Sequence, residues 1–255
     1  MSQVFIKNIF LATLAWLCIG CATVEQRNPK DPLESYNRSM FMVNSAIDQI
    51  ALKPLAKGYV AVVPAPVREC VSGVFENLKL PFSALNSLLQ GKPAAACDDF
   101  ARFVVNTTVG LGGCFDPATA LGMPANHKED FGQTLAVWGV PSGPYVVLPF
   151  FGPSTVRDGV AQFAPIVGGA PVDRNVISSD IHNRVPTRNV LLGVNLVNVR
   201  ANLLPATDAL EKMSVDHYAF VRDGYQRRRM NQIYDGNPPD EDDDKPEPKK
   251  SETKP

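Results

Sequence analysis

Few side chains in this sequence have the type and spacing that enzymatic chemistry requires. His127 stands close to Glu129 and Asp130, a group that could supply a general base or metal ligands. The spacing of these three residues matches no zinc motif, and a polar first turn of a helix is the better explanation for their clustering. The stretch from Gly139 to Gly143 contains a serine, but its glycines are wrongly spaced for a nucleophile elbow. We therefore predict that the protein is not an enzyme and holds no metal.

A different chemistry, covalent lipidation, is expected at Cys21. A basic N-terminus, an apolar run over residues 9–19 and the small residue Gly20 precede it. The run is shorter than the roughly 20 apolar residues that span a bilayer. This pattern is similar to a bacterial lipoprotein signal, in which the cysteine is acylated and becomes the new N-terminus. Cys18 occupies a position that is usually Leu, so an ordinary secretory signal is the alternative. Ala22, rather than Asp, favours the outer membrane as the destination.

The composition of the rest of the chain narrows the class of protein. The net charge of −1 gives no reason to expect a nucleic-acid partner. No apolar stretch after Cys21 approaches the length of a membrane span, so we predict no transmembrane helix. We expect a signal peptide at 1–20, a lipid-anchored tether at 21–30, one helical domain at 31–234 and a disordered acidic, Pro-rich tail at 235–255.

Three cysteines remain after the predicted cleavage, at positions 70, 97 and 114. The periplasm oxidises thiols, so one disulfide can form within the chain. Cys70 and Cys97 both fall on predicted helices joined by a short segment, which favours that pair. Three buried free thiols that pack as small apolar side chains are the alternative.

Apolar residues recur at helical spacing in at least five segments, and alternation with period two is convincing in none. The fold class is therefore predicted to be all-α. Proline and glycine set most of the expected boundaries: Lys53-Pro54 ends the first helix, and Pro81 opens a new one. The predicted helices cover 31–53, 65–79, 81–89, 93–107, 129–137, a stretch from Ser154, 186–203 and 214–233. The segment from Gly139 to Pro153, rich in glycine and proline, forms either a short strand or an extended loop.

Four motifs, in this order and spacing, resemble the MlaA (VacJ-like) family of outer-membrane lipoproteins. They cover nearly the whole segment from 31 to 230. The motifs are DPLESYNRSM at 31–40, RFVVNTTVGLGG at 102–113, EDFGQTL at 129–135 with its continuation through Arg157-Asp158, and Tyr218, Arg222 and YQRR at 225–228.

The resemblance implies a ring-like bundle of amphipathic helices embedded in the periplasmic leaflet of the outer membrane of a Gram-negative bacterium, with a central channel. It implies that misplaced phospholipid is taken from the outer leaflet and handed to a soluble periplasmic carrier, with an inner-membrane ABC-type importer further along the route. A trimeric porin is the expected membrane partner. Apart from the covalent lipid at Cys21, no cofactor is expected.

Polar side chains on the motif helices are the candidates for lining that channel or contacting lipid. They are Asn37, Arg38, Asn44, Asn106 and Thr107. For each of them, a helix cap or a hydrogen bond between helices is the alternative role. Arg227-Arg228-Arg229 could meet anionic head groups or complement a helix dipole, and Arg157-Asp158 is expected to be a structural pair. The competing function is a structural or adaptor lipoprotein that tethers porins without moving lipid.

Overall fold

The computed structural model describes residues 31–163, 185–213 and 216–239. The predicted signal peptide, Cys21, the tether and all but the first five residues of the tail lie outside this range, as does the segment 164–184. Within the described residues, helices form nearly all of the regular structure, and the exception is one two-stranded hairpin. This confirms the predicted all-α class.

The N-terminal helical run is longer than predicted. Helix α1 (Glu34–Ile47) continues through a π-helical turn (Asp48–Leu52) into α2 (Lys53–Val62). The prediction that Lys53-Pro54 ends the helix was wrong. Pro54 lies in the first turn of α2, where a missing backbone N–H costs little, and the wider π turn absorbs the change between the two helices.

Helices α3 (Ala65–Leu89) and α4 (Pro93–Thr108) form an antiparallel pair. Ser83 donates a hydrogen bond to Asp99, and Asn77 Nδ2 lies 2.9 Å from Thr107 Oγ1, which fixes the register. The predicted break at Pro81 is absent from α3, which is one continuous helix. Buried residues on both sides of Pro81, including Asn77, Leu80 and Ala84, hold it together against its neighbours.

This register also corrects the predicted disulfide. Cys70 is bonded to Cys114, and Cys97 is a free, exposed thiol. In an antiparallel pair, Cys97 near the start of α4 lies opposite the end of α3, which leaves it roughly 20 Å from Cys70 along the helix axis. Cys114 follows the end of α4 and returns to the start of α3. Gly113, its neighbour, packs directly on Gly73 of α3.

The middle of the chain consists of short elements. They are helices α5 (Pro117–Ala120) and α6 (Phe131–Val137), strands β1 (Tyr145–Leu148) and β2 (Gly152–Thr155), and helix α7 (Val156–Phe163). The strands are antiparallel, with Tyr145 opposite Thr155 and Leu148 opposite Gly152. Ser154 was predicted to cap a helix, but it lies in β2.

Helices α8 (Val185–Met213) and α9 (His217–Ile233) complete the described domain. Residues Asn189–Met213 of α8 are long and apolar enough to cross a membrane, judged by length and composition alone, and only 17% of the most apolar window is buried. No such helix was predicted, because asparagines and Arg200 interrupt its apolar run. Asp235, where the tail was predicted to begin, still contacts the domain through Lys92, at 2.7 Å.

The interior of this domain is unusually polar. Among the described residues, nineteen buried side chains are polar or charged and ten are apolar, and six of the apolar ones are alanines. Large apolar side chains lie outside instead: Val62 and Ile50 are about 80% exposed and Phe150 is 77% exposed. Charged residues are almost never buried unless they are paired, so the fold depends on hydrogen bonds and ion pairs inside the molecule.

Candidate functional site

The candidate site is the polar region around the N-terminus of α6. Asp130 caps this helix by accepting a hydrogen bond from the backbone N–H of Gln133, at 2.9 Å. Asp130 also lines two cavities, which have volumes of about 290 Å³ and 240 Å³. We call them the hairpin cavity, which reaches Ser154 of β2, and the loop cavity, which reaches Lys128 in the loop before α6.

Arg229 of α9 is the central side chain of the hairpin cavity. It makes paired hydrogen bonds to Asp130, at 2.6 and 2.8 Å, and to Asp158 of α7, at 2.9 and 3.0 Å. Tyr225 and Arg157 also donate to Asp158, at 2.8 and 3.0 Å. These contacts join α6, α7 and α9, and they confirm the expected pairing of Arg157 with Asp158.

Burial and charge oppose each other at this cluster. Burial acts to raise the pKa of Asp158, but hydrogen bonds and charge from Arg229, with help from Arg157 and Tyr225, leave it below its ordinary value. Burial also raises the pKa of the Tyr225 hydroxyl, as does the neighbouring Asp158 carboxylate. Asp158 is therefore ionised and Tyr225 is protonated at neutral pH.

Helix α6 can approach Arg229 this closely because residue 132 is glycine. A Cβ added at Gly132 would overlap Arg229 Nη2 and Asp158 Oδ1. The glycine that follows Phe131 is thus required by side-chain packing.

The loop cavity shares Asp130 with the hairpin cavity. Its lining includes Ser83 and Asn86 of α3, which are buried. The carboxylate of Glu129 is also buried and is held by Lys92 Nζ, at 3.1 Å, and Gln90 Nε2, at 2.8 Å. Lys128, next to it, has a left-handed backbone with a φ of 56°, a conformation that is uncommon for a residue with a side chain.

Asn37 and Arg38, two of the predicted candidates, hold the start of α1. Asn37 is fully buried: its side chain donates to Asp31 and to the carbonyl of Tyr145, and accepts from the N–H of Val147. Arg38 is partly exposed and pairs with Glu34 and with Asp216 beside the ring of Tyr218.

Asn44 holds the turn of the β-hairpin. Its side-chain amide donates to the carbonyl of Leu148 and accepts from the N–H of Phe150, each at 2.9 Å. Phe150 has a φ of 64° and an exposed ring. Asn44 therefore fixes a turn conformation that Phe150 does not favour by itself.

Asn106 and Thr107 belong to a third group of contacts, at the end of α4. Asn106 donates to Asp116 and accepts from the N–H of Ala118, and Thr107 accepts from Asn77. Arg102 makes paired hydrogen bonds to the same Asp116, at 2.8 and 2.9 Å.

The structure thus brings none of the five predicted candidates into the two cavities, whose described lining comes from other residues. Contact of those five with lipid stays a prediction. Sequence reasoning missed Arg229 as the centre of a buried cluster. The sequence did contain a signal for this cluster. Asp130 and Asp158 lie within the recognised motifs, and the YQRR motif ends one residue before Arg229.

His127 has an acidic neighbour, but the arrangement is not that of a hydrolase. Its Nδ1 lies 3.1 Å from Asp99. Ser83 donates to the same Asp99 rather than to the histidine, so the imidazole does not activate this serine. Among the described residues, no group of three His, Cys, Asp or Glu side chains could hold a metal ion.

These observations define a class of protein: a mainly helical domain with a polar, ion-paired interior and many large apolar side chains on its surface. The sequence profile described as MlaA lipoprotein matches residues 29–232. The chain belongs to this family, which confirms the resemblance seen in its motifs.

Individual relatives cover most of the chain. An uncharacterized protein of Rickettsia conorii is 35% identical over 210 residues, which are 82% of this chain and 78% of that protein. The intermembrane phospholipid transport system lipoprotein MlaA of Haemophilus influenzae is 34% identical and covers 90% of this chain and 92% of its own length. A solved structure concerned with the structural basis for maintenance of bacterial outer membrane lipid asymmetry matches with a TM-score of 0.62 and 32% identity. The match covers 81% of this chain and 99% of the solved one.

Proposed function

We propose that this protein is an outer-membrane lipoprotein that removes mislocalised phospholipids from the outer leaflet and passes them to a soluble periplasmic carrier. This activity maintains the lipid asymmetry of the outer membrane. The proposal is supported by membership of the MlaA family and by a relative named for intermembrane phospholipid transport.

The observation that carries the proposal is the reversed burial pattern. A water-soluble domain hides its apolar side chains, because burial of apolar area drives folding. In helix α8, the buried side chain of Asn198 donates to Ser72, at 2.8 Å, and that of Arg200 donates to Asp48, at 2.6 Å. On the same helix, Val190 and Leu196 are exposed. Such a surface is stable against hydrocarbon, and helices that satisfy their own backbone hydrogen bonds tolerate that environment.

Transport by this protein needs no covalent chemistry. A charged head group meets a large penalty in hydrocarbon, and polar side chains lower that penalty. The polar interior supplies such side chains, and we place the predicted central channel beside them, with the apolar exterior in the periplasmic leaflet.

The N-terminus and the partners complete the proposal. Residues 1–20 are a lipoprotein signal, Cys21 carries the lipid, and 21–30 tether the domain to it. A trimeric porin holds the protein in the membrane, and an inner-membrane ABC-type importer receives lipid from the carrier. A single acyl chain gives reversible membrane binding, so a multiply acylated cysteine and the apolar exterior together account for stable attachment.

A deletion strain tests this function directly. We expect phospholipid to accumulate in its outer leaflet, measured with a membrane-impermeant amine label, and the cells to become sensitive to detergent with chelator. The intact gene should restore both properties. Normal outer-leaflet composition in the deletion strain would refute the proposal.

A matched variant separates transport from tethering. Asn44→Leu removes the side chain that holds the hairpin turn and leaves Cys21 intact. If the protein only tethers porins, this variant should restore the deletion strain fully while Cys21→Ala fails. If it transports lipid and Asn44 contacts that lipid as predicted, both variants should fail to restore asymmetry while Asn44→Leu is still recovered with the outer membrane.

A further inference from the structure

Two cations that line the loop cavity form no ion pair with a carboxylate of the described residues. Three acidic side chains line it, and each has a cation: Glu76 pairs with Lys79, Glu129 with Lys92, and Asp130 with Arg229. Lys128 and Arg228 also line it, and no carboxylate of the described residues pairs with either of them. The lining thus holds three acidic and three basic side chains, and the exposed Lys128 and Arg228 are the ones without an ion pair among the described residues.

The backbone holds Lys128 in place at an energetic cost. Its N–H donates to Asn126 Oδ1, at 2.8 Å, and its carbonyl accepts from the buried Gln133 Nε2, at 3.0 Å. Left-handed backbone is unfavourable in a residue with a side chain and persists where its surroundings enforce it. Two side-chain amides fix this conformation, and Lys128, an exposed residue of the cavity lining, pairs with no carboxylate of the described residues.

The cavity also offers neutral donors. Asn126 uses its Oδ1 for Lys128, which leaves its NH2 group available, and the amide of Gln232 on α9 lines the same space. The volume of about 240 Å³ is below that of drug-sized sites and suits a small polar group. Two cations and amide donors around a small space match the chemistry of a phosphate ester, which arginine and lysine bind through charge-assisted hydrogen bonds.

We propose that the loop cavity is a binding site for the phosphate of a phospholipid head group, with Lys128 and Arg228 as its two anion-binding residues. Glu76, whose ion pair with Lys79 is about half exposed to solvent and therefore weak, is the acceptor for the ammonium of an ethanolamine head group. This assignment rests on the proposed function, and it places a resting position for the head group next to α6.

Binding to the purified full-length protein in detergent tests the site. The probes are glycerophosphoethanolamine, which is the soluble head group of the lipid, and inorganic phosphate, each titrated by calorimetry. Lys128→Gln and Arg228→Gln should each weaken binding of the head group about tenfold, which is ~1.4 kcal/mol. Arg227→Gln is the matched control, because this neighbouring arginine makes the same charge change and is exposed outside both cavities.

The two probes and a cell assay separate the outcomes. Equal affinity for inorganic phosphate and for the head group, or equal loss from Arg227→Gln and Arg228→Gln, would mean that the cavity attracts anions nonspecifically and would overturn the inference. Native mass spectrometry should also find less co-purifying phospholipid on the double variant than on the control. If the deletion strain has normal lipid asymmetry but head-group binding is weakened by the Lys128 and Arg228 variants, the binding site is supported and the transport function is refuted. If asymmetry needs the protein but neither binding nor lipid content depends on these two residues, the transport function is supported and the site is refuted.

Discussion

Removal of Arg229 should destabilise the domain more than removal of any neighbouring arginine. The guanidinium satisfies two carboxylates at once, and Asp158, one of them, is buried. In the variant Arg229→Met, Asp158 keeps hydrogen bonds only from Arg157 and Tyr225. Breaking a buried ion pair by removing one partner costs about 3–5 kcal/mol, because a buried charge is left behind.

The remaining contacts of Asp158 place the expected loss near the lower end of that range, at about 3 kcal/mol. For a domain of this size, such a loss lowers the midpoint of thermal unfolding by roughly 6–12 °C. Adding Asp158→Asn removes the stranded charge, so the double variant should recover about 1–3 kcal/mol relative to the sum of the single changes.

Thermal unfolding of the purified protein in detergent micelles measures these differences. Arg227→Met is the control, and as an exposed substitution on the same helix it should change stability by no more than about 0.5 kcal/mol. Gly132→Ala is an independent probe: it removes no charge, but its methyl group would separate Arg229 from Asp158. If Arg229→Met costs less than about 1 kcal/mol, the buried cluster does not hold α6, α7 and α9 together as we infer.

Three further outcomes are expected. Replacing Cys70 and Cys114 by Ser should lower the free energy of unfolding by about 2–4 kcal/mol, because the disulfide closes a loop of 44 residues. Chemical unfolding with and without reductant measures this difference, and equal curves for the oxidised and reduced wild type would contradict it. Asn44→Ala should free the hairpin turn, seen as faster hydrogen exchange at the backbone amides of the turn, and unchanged exchange would argue against the clamp. Asp216→Asn should cost up to about 1 kcal/mol at neutral pH, because hydrogen bonds from Arg38 and a backbone N–H lower the pKa of Asp216 from 3.8 to about 2. Since a lowered pKa stabilises the fold above the unfolded value, this difference should shrink as the pH falls from about 4 to 2, and a difference that grows in acid would contradict the assignment.

Helical spacing was enough to predict the fold class and most helices. Apolar periodicity and proline at helix starts located α4 within one residue of its observed bounds, because both signals are local. Proline misled the prediction at positions 54 and 81. At both sites the chain stays helical, since tertiary packing and a position in the first turn outweigh the lost hydrogen bond.

The site could be predicted only in part. The motifs contain Asp130, Asp158 and the residues before Arg229, yet nothing local indicates that positions 130 and 229 meet. The same limit explains the disulfide, because the partner of Cys70 depends on the register of α3 against α4. Asn44 was chosen for lipid contact, and its contact with a turn more than one hundred residues away has no local signal in the sequence.

The reversed burial pattern predicts that the exposed apolar face of α8 contacts hydrocarbon. A nitroxide on Val194→Cys, in a chain whose free Cys97 is changed to Ser, tests it by electron paramagnetic resonance in phospholipid vesicles. We predict strong collision with oxygen, which concentrates in hydrocarbon, and protection from a water-soluble nickel chelate, while a label on Arg227→Cys shows less protection. A label at position 194 that collides freely with the nickel chelate would place this face in water and contradict the proposal.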